Sequence, residues 1–295
     1  ANSALGEKIE AAFEAGELPG LHGVLVQLGG DILTEVYFDG QDERWGQALT
    51  DPSHGPATLH DLRSVTKSVV SLLYGIALAD GVVPPLDSPI LKHFPEYPDL
   101  ADQEDRGKIL IRDVLSMKMG TQWDESLPYS DPNNSEVAME LSPDRYRYIL
   151  DRPMVSKPGE VWTYNGGAVA LIGKLISDGT GMPLDKYAEE KLFTPLGIEH
   201  YDWVKGPDGV LSSASGLRLT MRDLAKVGRL VAQKGVYNDT RIVPEDWLKE
   251  SFVPRSEIDG GEIRYGYFWW LSGKGTPPTW VAGLGNGGQR LTVAT

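Results

Sequence analysis

The fold is decided by residues 62–79, which read LRSVTKSVVSLLYGIALA. From Val69 to Ala79 nearly every side chain is apolar or small, so the helix predicted for this stretch has no face for water. A helix that is hydrophobic all round belongs in the interior of a protein. Its first turn nevertheless carries Ser64 and Lys67, which are three residues apart and therefore share one face. A hydroxyl and an amine at the head of a buried helix indicate a functional site.

The composition is that of an ordinary globular protein with an acidic balance. The chain has 295 residues, of which 41% are hydrophobic and 24% are charged, and its net charge is -14. This length suits one large domain or two intertwined ones. The absence of any basic cluster argues against nucleic acid or an anionic membrane as a partner. No stretch approaches the roughly 18 apolar residues of a membrane span, so none is predicted.

Cysteine content and the first residues bear on the cellular compartment. The sequence has no cysteine, which excludes disulfides, thiolate zinc sites and a cysteine nucleophile. Residues 1–4, with the sequence ANSA, carry neither a basic region nor an apolar region of a signal peptide, so any such peptide would already have been removed. We expect the bacterial periplasm or the exterior of the cell, with the cytoplasm as the alternative.

Strand patterns occupy both ends of the chain and helical patterns occupy the middle. We therefore predict an α+β fold, in which an antiparallel sheet is flanked by helices and holds a large all-helical insertion. The predicted sheet domain comprises residues 1–80 and 210–295, the helical domain comprises 81–209, and the active site lies at their seam. We expect a further strand and helix of the sheet domain beyond Thr295.

The individual elements follow from hydrophobic periodicity and from turn residues. A long polar loop is expected from Gly120 to Ser135, of the kind that often forms a functional rim. The predicted strands are 24–28, 32–38, 265–271, 279–282 and 289–294. The predicted helices, besides 62–79, are 5–14, 111–117, 145–150, 167–176, 184–192, 220–233 and one that opens at 244.

The spacing Ser64-x-x-Lys67 is a weak signal by itself. It is expected about once by chance in a chain of this length, and a surface serine with a solvated lysine is the alternative. Its position at a helix N-terminus favours a site, because free backbone N–H groups there can stabilise a developing negative charge. An ordinary lysine has a pKa of about 10.4 and is protonated at neutral pH. We therefore expect burial to lower the pKa of Lys67 and a partner to share its proton.

Tyr164 is the candidate partner. The segment 158–167, PGEVWTYNGG, carries it to the start of a helix predicted near Gly167. The alternative is a tyrosine whose ring packs in the core and whose hydroxyl donates to a backbone carbonyl. Tyrosinate and lysine can instead form a coupled acid–base pair that serves the serine.

A third feature is the glycine-rich segment 283–289, GLGNGGQ. It contains the G-x-G-x-x-G spacing of dinucleotide-binding turns, but no crossover helix follows it, so that interpretation is disfavoured. A glycine-rich entry into a strand allows a close backbone approach. This suits a second oxyanion donor or a substrate-binding edge.

Histidine patterns do not predict a metal site. The chain has five histidines, without H-E-x-x-H spacing and without a G-x-S-x-G nucleophile elbow. A Ser-His-Asp site would require a spatial convergence that the sequence does not show. We predict neither a metal ion nor a cofactor. The five are His22, His54, His60, His93 and His200.

Taken together, these motifs resemble the serine β-lactamase and penicillin-binding protein superfamily, in its class C-like branch of peptidases, esterases and β-lactamases. The resemblance rests on residues 63–68 (RSVTKS) and on residues 158–167. It also rests on Thr180-Gly181 with the following 193–197 (FTPLG), and on 215–217 with 222–225. Order and spacing agree from about Gly20 to the end of the chain. The resemblance implies a β-lactamase/transpeptidase-like fold.

The resemblance also implies roles for individual residues. Ser64 would attack an acyl carbon and form an acyl-enzyme that water hydrolyses, with Lys67 as general base or proton partner. Tyr164 would be the acid–base that serves the leaving group. The oxyanion hole would combine the N–H of Ser64 with that of Asn286. The remaining oxyanion or substrate-binding candidates are Gly287, Gly288 and Asn165.

Two departures from the family pattern refine the functional prediction. The family's Tyr-x-Asn box has Gly166 where the asparagine is usual, since Asn165 follows the tyrosine directly. The family's Lys-Thr-Gly box, or its histidine variant, is replaced by 285–288 (GNGG). The lysine of that box holds a substrate carboxylate, and Lys274 falls in an expected turn, although Arg290 is a possible substitute. Ester or amide substrates are therefore favoured over β-lactams.

The sequence thus predicts a serine hydrolase that forms a covalent acyl-enzyme on an ester, amide or β-lactam bond. Its partners would be small-molecule esters, amides, peptides or β-lactams. The alternative is a non-catalytic penicillin-binding or sensor module with the same fold. It is favoured by the changes in the Tyr-x-Asn box, here called the second box, and in the Lys-Thr-Gly box, here called the third box.

Overall fold

Residues 3–295, the part of the chain that this computed structural model describes, form helices and antiparallel strands. The predicted fold class is confirmed. The helices are α1 Ala4–Glu14, α2 Val65–Ala79, α3 Pro98–Ala101, α4 Ile111–Leu115, α5 Ser135–Leu141, α6 Arg145–Leu150, α7 Gly166–Thr180, α8 Leu184–Ala188, α9 Thr194–Leu196, α10 Met221–Ala232 and α11 Glu245–Ser251. The strands are β1 Gly23–Leu28, β2 Asp31–Tyr37, β3 Glu43–Arg44, β4 Gln47–Ala48, β5 His60–Asp61, β6 Asp202–Trp203, β7 Leu217–Leu219, β8 Val236–Tyr237, β9 Thr240–Arg241, β10 Ser256–Ile258, β11 Ile263–Tyr265, β12 Trp270–Ser272, β13 Trp280–Gly285 and β14 Gln289–Ala294.

The largest sheet is formed by the C-terminal strands in the order β10-β11-β12-β13-β14, and every neighbouring pair is antiparallel. The N-terminal hairpin of β1 and β2 forms a two-stranded sheet of its own. Helix α10 packs against both β14 and β1. Its buried face includes Val227, Leu230 and Val231, so one amphipathic helix links the hairpin to the large sheet.

Helix α2 lies between the large sheet and the middle of the chain. It packs against α7 from the middle region and against β13, β14 and α11 from the C-terminal region. Every residue from Val65 to Ala77 is buried, as the all-apolar pattern predicts. The division into domains 1–80 with 210–295 and 81–209, and the seam between them, stay predictions. Within residues 3–295, no helix combines the length and hydropathy required to cross a membrane.

Helix α2 begins at Val65, three residues later than predicted. Arg63 has a φ of +51°, which lies in the left-handed region and cannot continue a right-handed helix. Ser64 therefore occupies the N-cap position, and its side chain makes no capping hydrogen bond. The hydroxyl at the head of α2 is thus left available for other contacts.

The predicted strand 265–271 is wrong, because two strands occupy this region. β11 ends at Tyr265 and β12 begins at Trp270, and these two residues pair with each other. Phe268 in the connecting turn has a φ of +64°, which breaks the extended backbone. Its carbonyl accepts a hydrogen bond of 2.7 Å from the Ser68 hydroxyl of α2, so a tertiary contact accompanies the turn.

Gly75 allows α11 to approach α2 closely. A Cβ at this position would lie 2.0 Å from Cδ1 of Trp247. The indole is held in place, since its Nε1 donates to the Ser71 carbonyl at 2.9 Å. We therefore expect Gly75→Ala to lower the free energy of unfolding by about 2–3 kcal/mol, measured by urea denaturation. Gly55→Ala is the control because nothing lies within 4 Å of its Cβ position. Equal stability of the two variants would contradict this packing.

Candidate active site

The structure brings Ser64 and Lys67 into direct contact. Lys67 Nζ donates to Ser64 Oγ at 2.9 Å and to the backbone carbonyl of Ala214 at 2.9 Å. The lysine is 2% exposed, whereas Ser64 is only partly buried. One helical turn of α2 sets the spacing of the two side chains, and the Ala214 carbonyl accepts a second hydrogen bond from the ammonium. The arrangement therefore presents a hydroxyl toward solvent with a buried cation behind it.

Glu136 of α5 is a site residue that the sequence analysis missed. Its Oε1 lies 3.9 Å from Lys67 Nζ and has no hydrogen-bond partner, although the residue is buried. Asn134 caps α5, because its Oδ1 accepts the Glu136 N–H at 2.9 Å. That N-cap asparagine is the signal in the sequence that predicts the start of α5. Nothing in the sequence indicates that this helix points a carboxyl group at Lys67.

The charges around Lys67 outweigh its burial. Burial by itself lowers the pKa of Lys67, but Tyr164, Glu136 and Glu125 together raise it above the usual lysine value. The expectation that the pKa of Lys67 is lowered is therefore wrong. Burial and the neighbouring Glu125 raise the pKa of Glu136 to about 8, although Lys67 opposes this shift. Lys67 is consequently an ammonium that donates to Ser64.

Tyr164 joins this pair from the loop that precedes α7. Lys67 Nζ lies 4.9 Å from the centroid of the Tyr164 ring. Burial raises the pKa of Tyr164, while the charge of Lys67 and hydrogen bonding with Ser64 and Lys67 lower it, and the net shift is upward. The rings of Trp162 and Trp270 flank the tyrosine ring at 6.2 and 5.8 Å. Ser64, Lys67 and Tyr164, predicted as one unit, are neighbours in space.

The glycine-rich third motif lies beside Ser64. A Cβ on Gly285 would lie 2.6 Å from the Leu62 carbonyl oxygen, so this glycine allows β13 to approach the residues that precede α2. Asn286 follows in the turn between β13 and β14 and lines the same cavity as Ser64. Gly287 and Gly288 lie in this turn with φ values of +88° and +87° and are exposed.

Ser64 opens into a cavity of about 230 Å³. Its walls include the aromatic side chains of Trp45 and Tyr129, together with Arg63 and Glu136. Arg63 is the one positively charged residue among those that line the cavity in the described part of the chain. Its guanidinium is paired with Glu43 and lies 3.8 Å from Asp61, so its charge is already neutralised.

A family comparison covers nearly the whole chain. The family model described as Beta-lactamase matches residues 7–295. The chain belongs to the Beta-lactamase family. Its fold is that of the serine β-lactamase and penicillin-binding protein superfamily, as the motifs predict.

Curated relatives of this Beta-lactamase family member include two kinds of hydrolase. The 6-aminohexanoate-dimer hydrolase of Paenarthrobacter ureafaciens is 24% identical over 288 residues, which cover 90% of this chain and 68% of the relative. A protein of Escherichia coli (strain K12), provisionally named a D-alanyl-D-alanine carboxypeptidase, is 31% identical over 150 residues. That match covers 48% of this chain and spans only 33% of the relative.

Solved structures share the fold at low sequence identity. Simvastatin synthase from Aspergillus terreus superposes with a TM-score of 0.70 and 18% identity, over 99% of this chain and 90% of that chain. The octameric penicillin-binding protein homologue from Pyrococcus abyssi gives a TM-score of 0.66 and 18% identity, over 99% of this chain and 71% of that chain. At these identities the comparison shows the fold of this Beta-lactamase family member and nothing finer.

The departure of the second box from Tyr-x-Asn has a structural explanation. A Cβ on Gly166 would lie 2.5 Å from Glu136 Oε1, so the buried carboxyl group occupies the room that a side chain at 166 would need. The Gly166 N–H donates to Glu125 Oε2 at 2.7 Å. Asn165 is buried and caps α7, since its Oδ1 accepts the Ala168 N–H at 3.1 Å. A substrate contact by Asn165 stays a prediction, and its side-chain oxygen is engaged in the cap.

Gly166→Ala tests the fit between this position and Glu136. We expect the new methyl group to displace the carboxyl group from Lys67 and to lower the free energy of unfolding by about 1–3 kcal/mol. The double variant Gly166→Ala/Glu136→Ala should regain much of this loss, because the clash disappears with the carboxyl group. The free energies of unfolding are measured by urea denaturation for the wild type, both single variants and the double variant. These four values form a double-mutant cycle. Strictly additive effects would contradict the contact.

Proposed function

We propose that this Beta-lactamase family member is a serine hydrolase that forms a covalent acyl-enzyme at Ser64, with an ester or amide as the acyl donor. The observation that carries the proposal is the 2.9 Å hydrogen bond from buried Lys67 Nζ to Ser64 Oγ at the head of α2, where Ser64 opens into the cavity. The proposed site lies at the seam between a sheet domain, 1–80 with 210–295, and a helical domain, 81–209.

In the acylation step, Ser64 Oγ attacks the carbonyl carbon and its proton passes to the Lys67–Tyr164 pair. The pair titrates as a unit, and its reactive form has one proton fewer than the fully protonated form. We assign this form as tyrosinate beside ammonium: burial raises the pKa of Tyr164 but Lys67 lowers it, and the charges of Tyr164, Glu136 and Glu125 raise the pKa of Lys67. The phenolate oxygen of Tyr164 accepts the serine proton, and the ammonium stabilises the charge that develops at Ser64 Oγ.

In the rest of the cycle, Tyr164 acts as the acid and then again as the base. The oxyanion of the tetrahedral intermediate accepts hydrogen bonds from the N–H groups of Ser64 and Asn286. The bond to the leaving group then breaks, and that group takes the proton from Tyr164. Water attacks the acyl-enzyme, loses its proton to Tyr164 and releases the acid, while Ser64 Oγ recovers the proton.

The cavity favours a compact, uncharged substrate. Trp45 and Tyr129 offer aromatic surface, while Glu136 and Glu140 line the same space as carboxyl groups. The guanidinium of Arg63 is engaged with Glu43, so it is poorly placed to bind the carboxylate of a β-lactam or of a D-alanyl peptide. Lys274 and Arg290 are not among the residues that line the cavity. These features support an ester or amide substrate, as does the 6-aminohexanoate-dimer hydrolase among the relatives.

Covalent labelling tests the proposal. The protein is incubated with a fluorophosphonate or a fluorescent penicillin, and the adduct is mapped by mass spectrometry. We expect the fluorophosphonate to label Ser64, and absence of any label on Ser64 would overturn the proposal.

Turnover separates catalysis from binding. A panel of short p-nitrophenyl esters, p-nitroanilides, nitrocefin and D-alanyl peptides should give multiple turnovers on esters or anilides. A stable adduct at Ser64 without turnover on any of them would instead support the alternative, a penicillin-binding or sensor module, which the changed second and third boxes favour.

A further inference from the structure

Three histidines, at positions 22, 54 and 60, meet in the folded chain. His22, His54 and His60 gather with Asp42, and one potential ligand atom from each lies within 4.8 Å of the others. The rings of His22 and His54 stack with their centroids 3.9 Å apart, and the rings of His54 and His60 are 5.2 Å apart. None of the four lines the cavity at Ser64.

Two of these histidines carry buried nitrogen atoms without a hydrogen-bond partner. His54 Nε2 lies 3.1 Å from the Gly40 carbonyl oxygen and so carries the proton. Its Nδ1 therefore bears a free lone pair, and this atom is buried without a hydrogen-bond partner. His60 Nε2 is likewise buried without a partner. The two residues are only 8% and 6% exposed.

Buried polar atoms without partners are costly, and they require an explanation in a well-packed protein. A solvated surface cluster does not explain them, because water does not reach these two nitrogens. A backbone carbonyl that fixes one ring nitrogen as a donor, with the other nitrogen free, is the arrangement found around metal-bound histidines. Gly40 provides such a carbonyl for His54.

We propose that His22, Asp42, His54 and His60 form a closed structural site for a divalent transition-metal ion, namely Zn²⁺. Three imidazoles and one carboxylate suit zinc and its neighbours, whereas Mg²⁺ and Ca²⁺ prefer oxygen ligands. Tetrahedral zinc with Zn–N distances of about 2.0–2.1 Å places its ligand atoms about 3.4 Å apart. Because the rings of His22 and His54 are stacked, at least one of them must turn for both to bind a single ion.

The metal site would stabilise the segment of the chain that precedes Ser64. His22 lies just before β1, Asp42 and His54 lie in the connection between β2 and β5, and His60 belongs to β5. The next residue, Asp61, accepts the Trp45 N–H at 2.6 Å and lies 2.7 Å from the Arg218 guanidinium. The ion would thus join the N-terminal hairpin to the strand that leads into Ser64, with all four of its positions filled by protein.

Metal binding is tested on the full chain without a polyhistidine tag. Isothermal titration with Zn²⁺ should show one ion per chain, and Co²⁺ should give the intense visible absorption of a tetrahedral complex. At a Zn²⁺ concentration 100 times the Kd, Tm should rise by about 4 °C, and Mg²⁺ should leave it unchanged. Binding of Zn²⁺ with no preference over Mg²⁺, or no binding at all, would overturn the proposal.

Variants locate the ion. Asp42→Asn, at a half-buried position, and His54→Ala should each abolish the Co²⁺ absorption and the rise in Tm. His200→Ala, which removes an exposed histidine, should preserve both. If His54→Ala fails to fold, Asp42→Asn alone tests the location of the ion. Unchanged Zn²⁺ and Co²⁺ binding by Asp42→Asn would place the ion elsewhere and overturn the assignment.

Discussion

Ser64→Ala should lower kcat by about 10⁴-fold or more on any ester or amide that the protein hydrolyses, because the acyl-enzyme can no longer form. The variant should also lose fluorophosphonate labelling completely. The cavity and the Lys67–Tyr164 pair persist, but the atom that forms the covalent bond is gone. Folding should be preserved, since Ser64 Oγ makes no capping bond to α2.

Ser177→Ala is the matched control for this experiment. Ser177 lies on α7 and is absent from the cavity lining, so its loss should leave labelling at Ser64 intact. Rates are measured with p-nitrophenyl esters, and adducts are mapped by mass spectrometry. If Ser64→Ala retained more than a small fraction of the rate and another residue carried the label, the nucleophile would be that other residue.

Lys67→Met should lower kcat/KM by about 10³-fold at neutral pH, because the cation that stabilises tyrosinate is lost. Lys67 lowers the pKa of Tyr164 against the effect of burial, so its removal raises that pKa further. Each unit of that rise reduces the tyrosinate fraction about tenfold at a pH below the pKa. The pH–rate profile should therefore move to higher pH as well as fall in height.

The control for Lys67→Met is Lys92→Met at an exposed position, which should leave the pH profile unchanged. Methionine retains much of the buried stem of Lys67. Glu136 can remain protonated without its partner, since burial already raises its pKa to about 8. The variant should accordingly fold, as shown by circular dichroism. A fall in rate without any displacement of the pH profile would contradict the proposed role of Lys67.

Local patterns predicted the elements on which the site is built. The apolar run of α2 identifies a buried helix wherever it packs, since no face of it tolerates water. Ser64 and Lys67 then share a face by helical geometry alone. Tyr164 was found because its Pro- and Gly-rich loop leads directly into α7. The start of α2 was misplaced, since the positive φ of Arg63 has no signature in an arginine side chain.

Local sequence patterns were enough to identify the buried helix α2, the strands β1 and β2, and the residue types at the head of α2. Periodicity and turn residues act over a few positions, so they can be read from the chain. What Lys67 faces depends on tertiary contacts, because Glu136 comes from α5 and Gly166 on α7 leaves the space that its carboxyl group occupies. Similarly, only the folded chain brings His22, His54 and His60 together. Desolvation and Coulomb interactions depend on distances between segments remote in sequence, so the protonation of Lys67 was decided by the fold.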